Sequence, residues 1–365
     1  MHARNRRTAR AVAAGALVVA ACAAQLSPAA GGELGPPVLG YWTNDATLLA
    51  DEDGAEVRRF QGFEHFSFSS TLLAGERVGQ RADSNRVIGF DVATGERRFT
   101  IPDARLPVVA AGAEKVAFFP TFGRDEYGRS IWMRTPGGRI RAVAQFKVRG
   151  RPGIPHGLGG DGAPLDVALD RRGRYMAIAF GLEPLRSFDV WVIDTKTREA
   201  TRMTRGERSH NPSLSPDGGH LAVRVERRES CPDPLYGEIL IGKISVVAVS
   251  TGEAKGLTGH DCDVFYDTPR WIDDDTVLAV RVTKDAEEAY GYDLDIVSID
   301  TVSGTISDLL TAGNPCCITT SPAAGKVAFG YSDRRGLGML DVASGTVLDV
   351  DDDVFVPHLA GEGRL

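Results

Sequence analysis

One phrase recurs along this chain and narrows its folding options more than any other feature. Its clearest copy is NPSLSPDGGHLAVRV, Asn211 to Val225: a short run, a Ser-Pro-Asp-Gly turn, then a run alternating apolar and polar residues. In such a turn Pro216 presets φ, Asp217 bonds to nearby backbone amides, and Gly218 takes the left-handed conformation that closes a hairpin. Related phrases begin at Gly112 (GAEKVAFFP), Asp170 (DRRGRYMAIAF), Asp273 (DDDTVLAVRV) and Ser321 (SPAAGKVAFGYSDRRG). A second strand-turn-strand phrase follows each, as in VIGFDVATGERRFTI, VWVIDTKTREATRMT and GMLDVASGTVLDV.

The fixed turn position of the second phrase falls at Gly54, Gly95, Gly138, Arg198, Gly252, Gly304 and Gly345, at spacings of 41, 43, 60, 54, 52 and 41 residues. That is the period of a four-stranded propeller blade. Two hairpins cannot bury both faces of their sheet alone, so blades must pack on one another around an axis and the ring must close. Residues after Gly345 and before Gly54 together make one blade. The expectation is therefore an all-β, seven-bladed propeller over residues 35–365, its first blade completed by a strand near Val354 to Leu359; six or eight blades fit the spacing less well. The 42 glycines, the 19 prolines and the lack of a long amphipathic helical run agree with many short strands.

SPDGGHLAV and KVAFGYSDRRGLGMLDVASG resemble the repeat of TolB-like β-propellers, in which Ser-Pro-Asp-Gly closes the inner hairpin (Ser215 to Gly218), Ser-Asp-Arg follows the second strand (Ser332 to Arg334), and Asp-x-x-x-Gly turns the outer hairpin (Asp300 to Gly304, Asp341 to Gly345). The resemblance implies the propeller fold. TolB itself has six blades and a separate N-terminal domain, whereas this chain shows seven repeats. Similar propellers precede the hydrolase domain of the prolyl oligopeptidase family, and some seven-bladed relatives are lyases using a histidine-held divalent ion.

The first residues, MHARNRRTARAVAAGALVVAACAAQ, place four arginines before eleven small or apolar residues from Ala11 to Ala21. The apolar run is too short to span a bilayer and is flanked as an export signal is. Val19-Ala20-Ala21-Cys22 resembles a bacterial lipobox, which makes residues 1–21 a signal peptide, Cys22 the lipidated residue and residues 22–34 a tether; cleavage after Ala24 is the alternative. Removal of residues 1–21 leaves 38 basic and 49 acidic groups. So acidic a chain repels phosphate backbones, which argues against a nucleic-acid partner.

In a blade with strands a to d from the axis outward, the a-b and c-d turns share one face; the b-c loops and d-a links share the other. The extra length of the long repeats sits in KVRGRPGIPHGLGGDGA, ERRESCPDPLYGE, TGHDCDVFYD and TKDAEEAYGY, all on the second face. Long loops on a rigid scaffold are where binding residues concentrate. His65, His156, His210, His260, Asp261, Asp263 and Tyr266 are the candidate ligand-binding residues of that face. Imidazole with carboxylate suits a divalent metal, with His156, His210 and His260 as candidate ligands, although no fixed local metal motif occurs. Solvation of the central channel is the plainer role for these histidines. The acidic triplets Asp273 to Asp275 and Asp351 to Asp353 suit solvated turns or calcium. Export favours disulfides among Cys231, Cys262, Cys316 and Cys317. Cys231 with Cys262 is the favoured pair, Cys262 with Cys316 an alternative, and such a bridge contributes on the order of 3 to 4 kcal/mol.

No Gly-x-Ser-x-Gly elbow and no glycine-rich phosphate loop occur in the sequence. The expectation is a monomeric, non-enzymatic propeller that needs no cofactor, reaches the membrane only through its lipid, and presents its long-loop face to a protein or peptide of the cell envelope or to a cell-surface ligand. A metal-dependent lyase or other enzyme with a histidine-lined channel is the alternative.

Overall fold

The structure, a computed structural model, describes residues 39–364 apart from 43–45, 62, 64, 79–84, 121–129, 146–163, 183–186, 206–207, 230–238, 260, 285–291, 312–314, 322–323, 332–335, 352–356 and 360–362. Within the unit Gly35–Leu365, four-stranded antiparallel sheets form the seven blades of a β-propeller. The innermost strands of blades 2 to 7 are His65–Phe68, Ala104–Val109, Pro164–Leu169, Arg208–Leu214, Val264–Trp271 and Pro315–Ser321. Blade 1 takes its innermost strand from the far end of the chain: Pro357–Leu359 pairs antiparallel with Leu39–Trp42, in the register Leu39 to Leu359 and Tyr41 to Pro357. The closure expected near Val354 to Leu359 is present over Pro357–Leu359.

Strand alternation explains the packing, because successive side chains leave a strand on opposite faces and each blade has a neighbour on both. In blade 4, Met176 and Ile178 pack with blade 3, while Ala177 and Ala179 pack with blade 5. Each gap between neighbouring blades holds its own apolar cluster, so the core is a ring of seven rather than one centre. The gap between blades 7 and 1 is filled by Leu39, Tyr41 and Leu48 against Ala328 and Leu337.

The seven turn positions read from the sequence all take positive φ, from 68° at Arg198 to 82° at Gly138. Glycine tolerates this region; Arg198 carries a Cβ there, at a cost of about 1 to 2 kcal/mol. In the opening phrase Gly218 has φ 78°, and the Asp217 carboxylate accepts the Gly219 N–H at 2.8 Å.

On their shared face these turns tie the two hairpins of a blade to each other, and some tie blade to blade. The N–H groups of Val92, Thr195, Val249, Thr301 and Val342, each just past strand c, donate to carbonyls of the a-b turns at Thr71, Arg174, Gly219, Asp275 and Gly325. Between blades, Gly112 N–H donates to the Arg171 carbonyl at 2.7 Å, and Lys115 Nζ to the Arg172 and Gly173 carbonyls. Asp217 N–H donates to Asp274 at 3.1 Å, while Asp273 caps the amides of Asp275 and Thr276. The acidic triplet at Asp273 is thus a working turn.

Candidate functional site

At the opposite end of the channel, where the chain enters the innermost strands, charged groups gather between blades 5 and 6. His210, in the innermost strand of blade 5 rather than in the link before it, donates from Nε2 to Glu226 at 2.8 Å. Arg224 reaches Glu226 at 3.0 Å with one nitrogen and Asp267 of blade 6 at 2.6 Å with another. Asn211 Nδ2 donates to the same Asp267 at 3.1 Å. Arg208 stands 3.7 Å from the second Glu226 oxygen.

The backbone beneath this cluster is bent. The innermost strand of blade 5 shifts register between His210 and Ser213 where Asn211 has φ 52°, and that of blade 6 shifts between Asp267 and Arg270 where Thr268 has φ 51°. Left-handed backbone at β-branched Thr268 is strained and is held by Asp267, which accepts the Thr268 N–H at 2.6 Å. Blade 3 has the same bend at Leu106, φ 50°, pinned when its N–H donates to Glu76 of blade 2 at 2.8 Å. Such bulges re-aim side chains beside functional sites.

Glu226 is largely buried, which works to raise its pKa, but the His210 hydrogen bond and the charges of Arg224 and Arg208 outweigh burial and hold it below the usual carboxylate range. Burial pushes the Tyr266 phenol up, with Arg281 opposing. Arg281 itself pairs with Asp295 at 2.6 Å and Asp308 at 2.8 Å; burial works to lower its pKa, and these two carboxylates raise it above the usual guanidinium value. Gly242 lets the blades approach here, since a Cβ would meet the Tyr266 carbonyl and the Arg224 side chain.

Of the residues proposed from sequence, His210, Asp261, Asp263 and Tyr266 come to this mouth. Asp261 and Asp263 are exposed in the turn before the innermost strand of blade 6, where Asp261 accepts the Asp263 N–H at 3.0 Å. His65 is exposed at the start of blade 2, away from the cluster. His156, His260, Cys22 and Cys231 lie outside the described residues, as do the side chains of Cys316 and Cys317. Cys262 is half-buried and is not a free thiol. Among the described residues, no group of three or more His, Cys, Asp or Glu is placed to hold a metal ion.

Sequence reading missed Arg224, Glu226 and Asp267. A signal was present: HLAVRV and TVLAVRV share the pentapeptide Leu-Ala-Val-Arg-Val, which puts Arg224 and Arg281 at the same place in adjacent blades. It also missed a cleft of about 450 Å³ on the short-turn face between blades 4 and 5, lined by Arg174, Tyr175, Asp194, Glu199, Asp217 and Ser250 among others. Arg174 pairs there with Asp194 at 3.3 Å.

No family model matches the chain, and no curated protein does. Among solved structures it is similar to the tricorn protease (TM-score 0.61, 12% identity), covering 90% of this chain and 34% of that one, so it spans about a third of that protein. It is also similar to the β-propeller domain of the Trilobed protease from Pyrococcus furiosus (TM-score 0.55, 14% identity, 84% of both chains). An oligogalacturonate lyase solved in complex with manganese matches at TM-score 0.57 and 13% identity, over 80% of this chain and 77% of that one. TolB structures from Agrobacterium tumefaciens and Acinetobacter baumannii match more loosely, at 0.46 and 0.44. The likenesses above 0.5 show a β-propeller fold.

Proposed function

We propose that the protein is a non-enzymatic, extracytoplasmic binding propeller, exported by residues 1–21 and anchored through Cys22, whose channel mouth and long loops engage a protein or peptide of the cell envelope. The observation that supports it most is a coincidence of place. The described strands that bound the long segments of blades 4 to 6 end on the face where His210, Arg224, Glu226 and Asp267 form their network. Groups that already answer one another charge for charge are suited to holding a surface in shape, and loops around such a base supply contacts. Capture from the native envelope tests this reading: a partner retained by the wild type is expected to be lost when Arg149 to Gly160 is deleted, and equal capture by both counts against it.

Two parts of the proposal have their own tests. Mass spectrometry of the membrane fraction is expected to find a diacylglyceryl group on Cys22, and a chain starting at Gln25 would refute the anchor. Non-reducing peptide mapping is expected to join Cys231 to Cys262; a link from Cys262 to Cys316 or Cys317 would replace that pairing.

A second reading, a metal-dependent lyase, draws on His210 at the mouth and on the fold shared with a lyase solved with manganese. It requires bound divalent metal in untagged protein and its loss in His210→Ala and His260→Ala. Metal-free protein removes that reading.

A further inference from the structure

The channel of a propeller is bordered by strand edges. An innermost strand pairs outward with one neighbour, and its other edge turns backbone N–H and C=O groups toward the axis, where an extended segment can pair with them; in blade 5 the start of that strand also meets blade 4, Arg208 lying parallel to Phe188. In blade 4 that edge is in use: Gly363–Arg364 lies antiparallel on Pro164–Leu169, with Arg364 opposite Ala168 and Gly363 opposite Leu169. The same two residues also approach the innermost strands of blades 2 and 3. The chain that completes blade 1 as Pro357–Leu359 therefore continues across the ring to blade 4. Three residues stand between Leu359 and Gly363, so four Cα-to-Cα steps join them, a reach of at most about 14 Å.

The position is specific. Ala168 and Leu169 end their strand just before the Asp170–Gly173 turn, so the pairing sits at the short-turn end of the channel, away from the charged mouth. Gly363, having no side chain, suits the crowded axis where three innermost strands converge on it. We propose that the axial edge of Ala168–Leu169 is an acceptor site for an extended polypeptide with a small residue opposite Leu169, and that Gly363–Arg364 is its resident, displaceable occupant. Recognition is by strand addition: main-chain hydrogen bonds give the attraction, and lack of room at the axis gives the selectivity. Two paired residues hold weakly by themselves, and the site stays filled because the contacts with the innermost strands of blades 2 and 3 add to the pairing and the tether from Leu359 supplies an effective concentration in the millimolar range. The inference does not depend on the loop-face reading, because Ala168–Leu169 lies at the opposite end of the channel from the charged mouth.

The test uses the full chain with Gly363→Pro and Arg364→Pro together. Consecutive strand residues turn their N–H groups to opposite edges, so the double substitution removes whichever one faces Leu169. A fluorescent hexapeptide of sequence AGEGRL is expected to bind the double variant at least about tenfold more tightly than the wild type, since the tethered competitor is gone. In the same variant the amides of Ala168–Leu169 are expected to exchange with solvent at least about tenfold faster and to regain protection with saturating peptide. A folded double variant with no gain in peptide binding and unchanged exchange at Ala168–Leu169 would overturn the proposal. As a check independent of those prolines, oxidation of the full chain carrying Ala168→Cys and Arg364→Cys is expected to yield the 168–364 cross-link on peptide mapping; its absence under oxidising conditions also overturns it.

Discussion

Blade 5 and blade 1 are built on the same plan by opposite routes. Blade 5 is one continuous stretch: Arg208–Leu214, His220–Glu229, Ile239–Ala248 and Ala254–Gly256 follow one another outward, and the first two are joined by a turn whose chemistry is local. Blade 1 needs both ends of the described chain, since Leu39–Trp42 meets Pro357–Leu359 across more than 300 residues. Closing a loop of that length costs about 5 kcal/mol, because the entropy grows only logarithmically with length. Fully buried Leu39 on the blade 7 side of blade 1, and Leu49 and Phe66 on its blade 2 side, offset it at about 1.5 to 3 kcal/mol each. Hairpins thus come from short phrases, whereas the ring comes from apolar surfaces that only closure can cover.

The sharpest way to break this contrast is to remove residues 357–365. Denaturant unfolding is expected to lose at least about 4 kcal/mol or to split into more than one transition; a wild-type curve would mean blade 1 does not depend on its distant strand. Blade 5 should suffer next from Glu226→Gln, which removes the carboxylate shared by His210, Arg224 and Arg208 while leaving Arg224 its bond to Asp267, and is expected to cost about 1 to 3 kcal/mol at pH 7. Because the folded pKa of Glu226 is depressed, its contribution is present above the unfolded value of about 4.3 and fades as pH falls through the folded value. The Gln variant should therefore lose less stability than the wild type on acidification, and a parallel pair of pH profiles would contradict the assignment.

Smaller effects sharpen the local half of the contrast. Gly218→Ala puts a Cβ at φ 78° and 2.8 Å from the Tyr175 ring of blade 4, so a loss of about 1 to 2 kcal/mol is expected in thermal unfolding. Arg198→Gly relieves the one non-glycine among the seven outer turns and is expected to raise stability by up to about 1 kcal/mol. A destabilised Arg198→Gly protein would show that the arginine side chain matters more than its backbone.

Much of the ring was readable from residues alone, because turn chemistry is local. Gly54, Gly95, Gly138, Arg198, Gly252, Gly304 and Gly345 were set in register by spacing, and all seven have the left-handed backbone such turns demand. Closure followed from the two half-blades left over. The mouth was less legible: His210 and Tyr266 stand out as residue types, but Arg224 and Glu226 look like ordinary outward-facing charges of an alternating strand until Asp267 of the next blade is brought against them. Pairing of Gly363–Arg364 with blade 4 had no local signal, since two residues carry no periodicity. The short-turn cleft beside Arg174 was hidden for a related reason, being made by two blades and by neither alone.

Amide hydrogen exchange at the seam tests the closed ring most directly. If Pro357–Leu359 completes blade 1, the amides of Leu39–Trp42 that face it should exchange only through the global opening that also releases the innermost strand of blade 5. Exchange there at the rate of a fraying end, while Arg208–Leu214 stays protected, would contradict closure and the blade count built on it.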